Sequence, residues 1–135
     1  MTLQEIFAGC TAKPLLAEEP MAKHTSFRIG GPADLMAMPQ SEQELQQLLQ
    51  RAGEAKVPVT LIGNGSNLLV RDKGIRGLVI KLGNMLNDVA VDDCTLTFGS
   101  GVSLAAASRK AAELGLSGME FAVGIPGSIG GAVYM

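Results

Sequence analysis

The sequence has no tryptophan, one tyrosine, one histidine and two cysteines among its 135 residues. Each scarcity removes a class of chemistry. With His24 as the only histidine, a His-pair zinc site is excluded, and no Ser/His/Asp set stands at a spacing that recommends nucleophilic catalysis. His24 itself reads as a polar residue entering a loop. Cys10 and Cys94 are far apart and lack any CxxC pattern or histidine-rich neighbourhood, so they read as reduced structural thiols, not as a disulfide or metal site. Charge of one sign is also missing: 13 acidic against 11 basic residues give a net charge of −2, which provides no basic face for nucleic acid. Long hydrophobic runs are absent from the start of the chain. Residues 1–22 contain Glu5, Glu18 and Glu19 and no uninterrupted apolar stretch, so neither a secretory signal nor a membrane anchor is expected, and the default location is cytoplasmic.

What is plentiful is glycine. Its 17 residues gather in short clusters with Asn, Ser or Pro, which points to locally specified backbone geometry and not to a linker. Between the clusters the apolar pattern predicts regular elements. Ser41-Glu42-Gln43-Glu44 has the form of a capping box, and Leu45, Leu48, Leu49 and Ala52 follow at helical spacing, so a helix is expected over 42–52 with Gly53 as its stop. An extended run over 33–38 precedes it, and a buried strand over 59–62 follows Pro58; strand, helix, strand is the signature of a βαβ crossover. The runs 68–70 and 78–80 read as further strands separated by a polar turn over 71–77. A second small sheet is expected from 86–91 and 95–98, a hairpin about Asp92-Asp93. Ser103 is the candidate cap of a helix reaching Leu114, with Leu104, Ala107, Ala111 and Leu114 as its apolar stripe and Gly115 as its stop. The last residues, Ala132 to Met135, form an apolar run without cap or polar tail, the ending expected of a piece of a longer protein.

Three glycine clusters carry the chemistry. In Gly63-Asn64-Gly65-Ser66-Asn67 the glycines let successive amides point into one concavity, while Ser66 and Asn67 add side-chain donors, an arrangement suited to phosphate. Asn64-Gly65 between apolar runs is equally the signal of a type I′ hairpin, which is the favoured reading of this loop on its own. A Rossmann pattern fails here, because Leu68 stands where the third glycine belongs and no helix is expected next. In the cluster Gly124 to Gly131, Ser128 suits the cap of a short helix whose first amides would face an anion; close backbone packing explains the same residues as well. Gly30-Gly31-Pro32 reads first as a turn into a strand, and Arg28 as an exposed loop residue, although its guanidinium is a natural phosphate donor.

Taken together, His24-Thr25-Ser26-Phe27-Arg28-Ile29-Gly30-Gly31, then LIGNGSNLL over 61–69, then GIPGSIGGAVYM over 124–135 resemble the ordered motifs of MurB-type reductases, over nearly everything from residue 20 onward. The resemblance implies an α+β, FAD-binding fold of the PCMH or vanillyl-alcohol-oxidase type, with two small subdomains holding FAD between them, and not a Rossmann fold. It implies an N-terminal segment over 1–22, a first FAD-binding subdomain over 23–82, the start of a second over 83–135, and no substrate-binding domain. It places Gly63, Asn64, Gly65, Ser66, Asn67 and the adjoining Leu68 at the FAD pyrophosphate. Gly124, Ile125, Pro126, Gly127, Ser128, Gly130, Gly131 and Ala132 are placed along the cofactor towards the isoalloxazine. In this family NADPH reduces the flavin, which passes hydride to the enolpyruvyl ether of a UDP-sugar to give UDP-N-acetylmuramate, a peptidoglycan precursor. The family's Tyr-Arg and Asn-x-Gly-Ser-x-Phe-Lys motifs do not occur here, and Tyr134 precedes Met135 instead of an arginine, so no catalytic residue is assigned. A chain of this kind is expected to lack reductase activity by itself and to self-associate through its apolar end. The FAD domain of an oxidase or a molybdenum-type dehydrogenase, and a nucleotide-binding module without redox chemistry, are the competing readings.

Overall fold

β1 (Leu16–Pro20), β2 (Pro32–Ala37), β3 (Val59–Ile62) and β4 (Ile75–Lys81) form one mixed sheet in the order β1-β2-β4-β3. The computed structural model describes residues 1–135. β1 runs antiparallel to β2, whereas β2 and β3 both run parallel to β4. The two interior strands are apolar because both of their faces are covered. Leu35, Ala37, Leu78 and Ile80 point to one layer with Phe7, Cys10, Leu48 and Ala52; Ala33, Met36 and Val79 point to the other with Met21, Ile62 and Val70.

The expected strand, helix, strand unit is present, but its two strands are not neighbours, since β4 lies between them. That placement explains two departures from the sequence reading. β3 is an edge strand, so only Ile62 is buried and Leu61 is 54% exposed. Residues 68–70 form no strand. A parallel partner for β3 requires the chain to return to the other end of the sheet, and 63–74 make that return as an irregular crossover that drops Val70 into the second layer.

α2 (Glu42–Ala55) starts as expected, with Ser41 Oγ accepting from the Glu44 amide at 3.2 Å. Glu44 does not close the box. Its carboxylate accepts from the Gln40 amide at 2.8 Å and from the Ala12 amide at 3.1 Å, which ties the helix start to the N-terminal segment. Nor does Gly53 end the helix. One interior glycine costs about 1 kcal/mol, and the left-handed stop falls later, at Lys56 with φ 53°, where the Val57 amide reaches Ala52 O at 2.9 Å. Residues 1–22 are integral to this sheet: α1 (Leu3–Ile6) is held by a Thr2/Glu5 capping box, Phe7 and Cys10 enter the core, and β1 pairs along β2.

The chain divides into two compact units, Met1–Met85 and Leu86–Met135. In the second, β5 (Val89–Asp92) and β6 (Thr95–Phe98) make the expected antiparallel hairpin, with Asp93 at φ 52° in its turn. The strand begins only at Val89, because Leu86 takes φ 56° and its carbonyl is bonded by the Gly101 amide at 2.8 Å. α3 (Leu104–Glu113) is capped by Ser103 and followed by Gly115 at φ 69°. Leu104, Ala107 and Ala111 are buried as expected; Leu114 is 42% exposed, and the inward position goes to Ser108, whose hydroxyl donates to Met119 O at 2.9 Å. The short α4 (Ile129–Tyr134) closes the unit. No helix is long and apolar enough to cross a membrane.

Candidate functional site

Residues 63–68 leave the end of β3 as turns and bends. None of their backbone amides has an acceptor within the chain. The type I′ hairpin is ruled out, since the following strand is parallel, and such a turn needs positive φ at both central residues while only Gly65, at φ 66°, has it. The loop is held from one side by residues 24–26: the Ser26 amide donates to Gly65 O at 3.1 Å, and Gly65 lies so close to His24 that a Cβ would stand 2.0 Å from the His24 carbonyl oxygen. Gly65 is therefore required by backbone packing alone. Asn64 and Asn67 are exposed, Gly63, Ser66 and Leu68 half-buried and Gly65 buried, so the loop is open to solvent on either side of Gly65. A row of unpaired amides in a largely solvent-open loop with two neighbouring polar side chains fits a diphosphate.

The second cluster is built differently. Ser128 does cap α4, accepting from the Gly131 amide at 3.3 Å. The Ile129 amide donates to Val102 O and the Gly130 amide to Ser100 O, both at 2.8 Å, so the first-turn amides already have acceptors and none is left to face an anion. Gly130 is packed against Ser100, where a Cβ would lie 3.0 Å from the serine Cβ. Gly124 has nothing within 4 Å of a Cβ position, and the amides of Gly124, Gly127 and Ser128 remain unpaired. Ile125, Pro126, Gly131 and Ala132 are exposed. Close packing thus accounts for Gly130 and a φ of 129° for Gly127, while nothing in the chain requires glycine at Gly124.

Gly30-Gly31-Pro32 is the turn into β2, with Gly31 pressed against Asp72 O; Arg28 is exposed at φ 56°. The residue undervalued by the sequence is His24. Its ring is 11% exposed, with Nε2 2.9 Å from Glu19 Oε1 and Nδ1 3.0 Å from Lys81 Nζ. No periodic pattern links positions 19, 24 and 81, so only the fold reveals the cluster.

Residues 33–135 match the family model described as FAD binding domain. The chain belongs to that family. It is 52% identical over 120 residues to UDP-N-acetylenolpyruvoylglucosamine reductase of Heliobacterium modesticaldum, an alignment covering 89% of this chain and 38% of the relative. The enzyme of the same name from Agathobacter rectalis is 54% identical over 133 residues, covering 90% and 42%. Among solved structures, the MurB reductase of Thermus caldophilus superposes with a TM-score of 0.65 at 35% identity, covering 89% of this chain and 40% of that one. The chain therefore spans about two fifths of the length of these relatives. Its fold is the α+β FAD-binding type of MurB, and its cofactor class is FAD.

Proposed function

We propose that this FAD-binding domain serves a cytoplasmic flavoenzyme that reduces UDP-N-acetylenolpyruvoylglucosamine to UDP-N-acetylmuramate with NADPH, a step in peptidoglycan precursor synthesis. The observation that carries the reading is the loop 63–68, with its unpaired amides, in a chain about half identical to enzymes of that name. Bound FAD supplies the hydride relay from NADPH to the enolpyruvyl carbon. The chain's own residues bind and orient. The amides of 63–68, with the Ser66 and Asn67 side chains, take the pyrophosphate, and Gly63 admits its oxygens without a Cβ in the way. The segment 124–132 lines the cofactor towards its flavin ring, where Gly124 leaves open space. In this reading 23–82 and 83–135 are the two FAD-binding subdomains. Proton delivery to the substrate is assigned to no side chain of residues 1–135.

The loop assignment is tested by comparing FAD with riboflavin, which lacks the phosphates. In the full-length enzyme, Ser66→Ala/Asn67→Ala should weaken FAD by about tenfold or more, the scale of hydrogen bonds to a charged group, and leave riboflavin affinity unchanged. An unaltered FAD-to-riboflavin ratio would remove the pyrophosphate from this loop. The 135-residue chain by itself should oxidise NADPH in response to the enolpyruvyl substrate at least about 10²–10⁴-fold more slowly than the full-length enzyme, since a positioned acid or base contributes that much. It should also self-associate in sedimentation experiments, because Val133, Tyr134 and Met135 are 83%, 90% and 80% exposed.

A further inference from the structure

The single histidine of this chain stands directly beneath the loop 63–68, and its ring connects two strands. Nε2 meets Glu19 Oε1, near the end of β1, and Nδ1 meets Nζ of Lys81, the last residue of β4. An ammonium group only donates, so Nδ1 accepts from Lys81 and Nε2 carries the proton given to the Glu19 carboxylate. One tautomer of a neutral ring satisfies both contacts. Lys23 Nζ, at 3.9 Å from the same Glu19 oxygen, is the other charged group facing the cluster.

Both the stem and the floor of the loop depend on this ring. Lys81 is paired with Ile62, the residue that leads into Gly63. The His24 carbonyl is the surface on which Gly65 rests, and Ser26, two residues on, gives its amide to Gly65 O. Side chains this enclosed, 11% exposed at His24 and 15% at Glu19, are tolerated only with partners, and a ring bonded at both nitrogens is fixed in place in a way an apolar side chain of similar size is not. Apolar packing alone would fill the space without setting the direction of the His24–Ser26 backbone.

We propose that His24 is a positioning residue for cofactor binding: clamped between Glu19 and Lys81, it sets the backbone against which the loop 63–68 presents its amides to the pyrophosphate of FAD. It touches the loop and not the cofactor. The inference rests on the reading of that loop as the pyrophosphate cradle, and the experiment separates the two.

In the full-length enzyme, dissociation constants for FAD and riboflavin are measured for wild type, His24→Phe, His24→Gln and the loop variant Ser66→Ala/Asn67→Ala. Loss of the clamp in His24→Phe should weaken FAD about tenfold to a hundredfold with riboflavin unchanged, the scale of hydrogen bonds to charged partners. His24→Gln should restore most of the FAD affinity, because its amide oxygen accepts from Lys81 while its NH₂ donates to Glu19. If the loop variant loses the FAD preference and His24→Phe keeps it, or if Gln binds FAD as weakly as Phe, the positioning role is wrong and the cradle stands. An unchanged preference in the loop variant overturns the cradle itself. Should His24→Phe fail to fold, the wild-type ring decides. A two-bond ¹H–¹⁵N spectrum of this lone histidine, on the FAD-bound protein, should show Nε2 protonated and Nδ1 bare. A ring protonated at Nδ1 at neutral pH would overturn the clamp.

Discussion

Residues 1–85 and residues 86–135 bury apolar surface in different ways, and the contrast shows where the chain's own packing sets its backbone. In the first unit a four-stranded sheet is covered on both faces, and Phe7, Met21, Leu35, Met36, Leu48, Leu78, Val79 and Ile80 are fully enclosed. In the second, a two-stranded ribbon leaves Val89 and Val91 44% and 46% exposed, and the enclosed side chains are mostly small: Ala107, Ala111 and Ala122 beside Val102 and Leu104. A two-stranded ribbon is marginal without further cover. The two glycine segments differ accordingly. Gly65 is wedged against the backbone of residues 24–26, on a sheet with its own core, whereas Gly124 stands in open space next to an exposed Phe121 and Val123. One loop is set by packing within the chain, and the other has no such support from residues 1–135 at Gly124.

The largest effect expected from this contrast lies in the glycines themselves. Gly65→Val should prevent normal folding of the first unit, since a side chain there would meet the His24 carbonyl oxygen at 2.0 Å on a backbone already at φ 66°. Flavin loss in that variant would therefore not by itself locate the pyrophosphate. Gly124→Val, with nothing within 4 Å, should melt like wild type in the full-length enzyme while its flavin content falls. Thermal melts with flavin absorbance on both variants check the pair. Equal melting temperatures would erase the distinction between the two loops.

A smaller effect separates the cores. Leu35→Ala empties a fully enclosed site and should cost about 2–5 kcal/mol, whereas Val91→Ala on the exposed ribbon should stay within about 0.5 kcal/mol. Urea titrations of the full-length protein give both values, and a costly Val91→Ala would mean that the ribbon face is covered there. The smallest effects belong to the caps. Ser41→Ala and Ser103→Ala each remove one bond to a first-turn amide and should lower stability by about 0.5–2 kcal/mol, with turnover of the full-length enzyme unchanged. A large loss of turnover at normal stability would show that one of these serines has a second role.

The sequence by itself determined the local elements whose cause is local. Ser41 and Ser103 start α2 and α3 because a hydroxyl one turn ahead of an amide needs nothing else, and Gly115 and the turn at Asp93 act over equally short range. The three glycine motifs, in their order, also carry the family resemblance within the sequence alone. Tertiary structure decided what depends on partners far away in the chain. Whether 59–62 is a buried or an edge strand, and whether 68–70 pairs at all, follow from β4 entering the sheet between β2 and β3, a placement no window of neighbouring residues contains. The same holds for the chemistry. A run of unpaired amides at 63–68, and acceptors already supplied to the first turn of α4, are properties of which backbone lies opposite which. Glu19, His24 and Lys81 meet because β1 and β4 sit in one sheet with the His24 turn beside them, and hydrogen bonds that depend on 3 Å distances across such separations in sequence exist only once the sheet has formed.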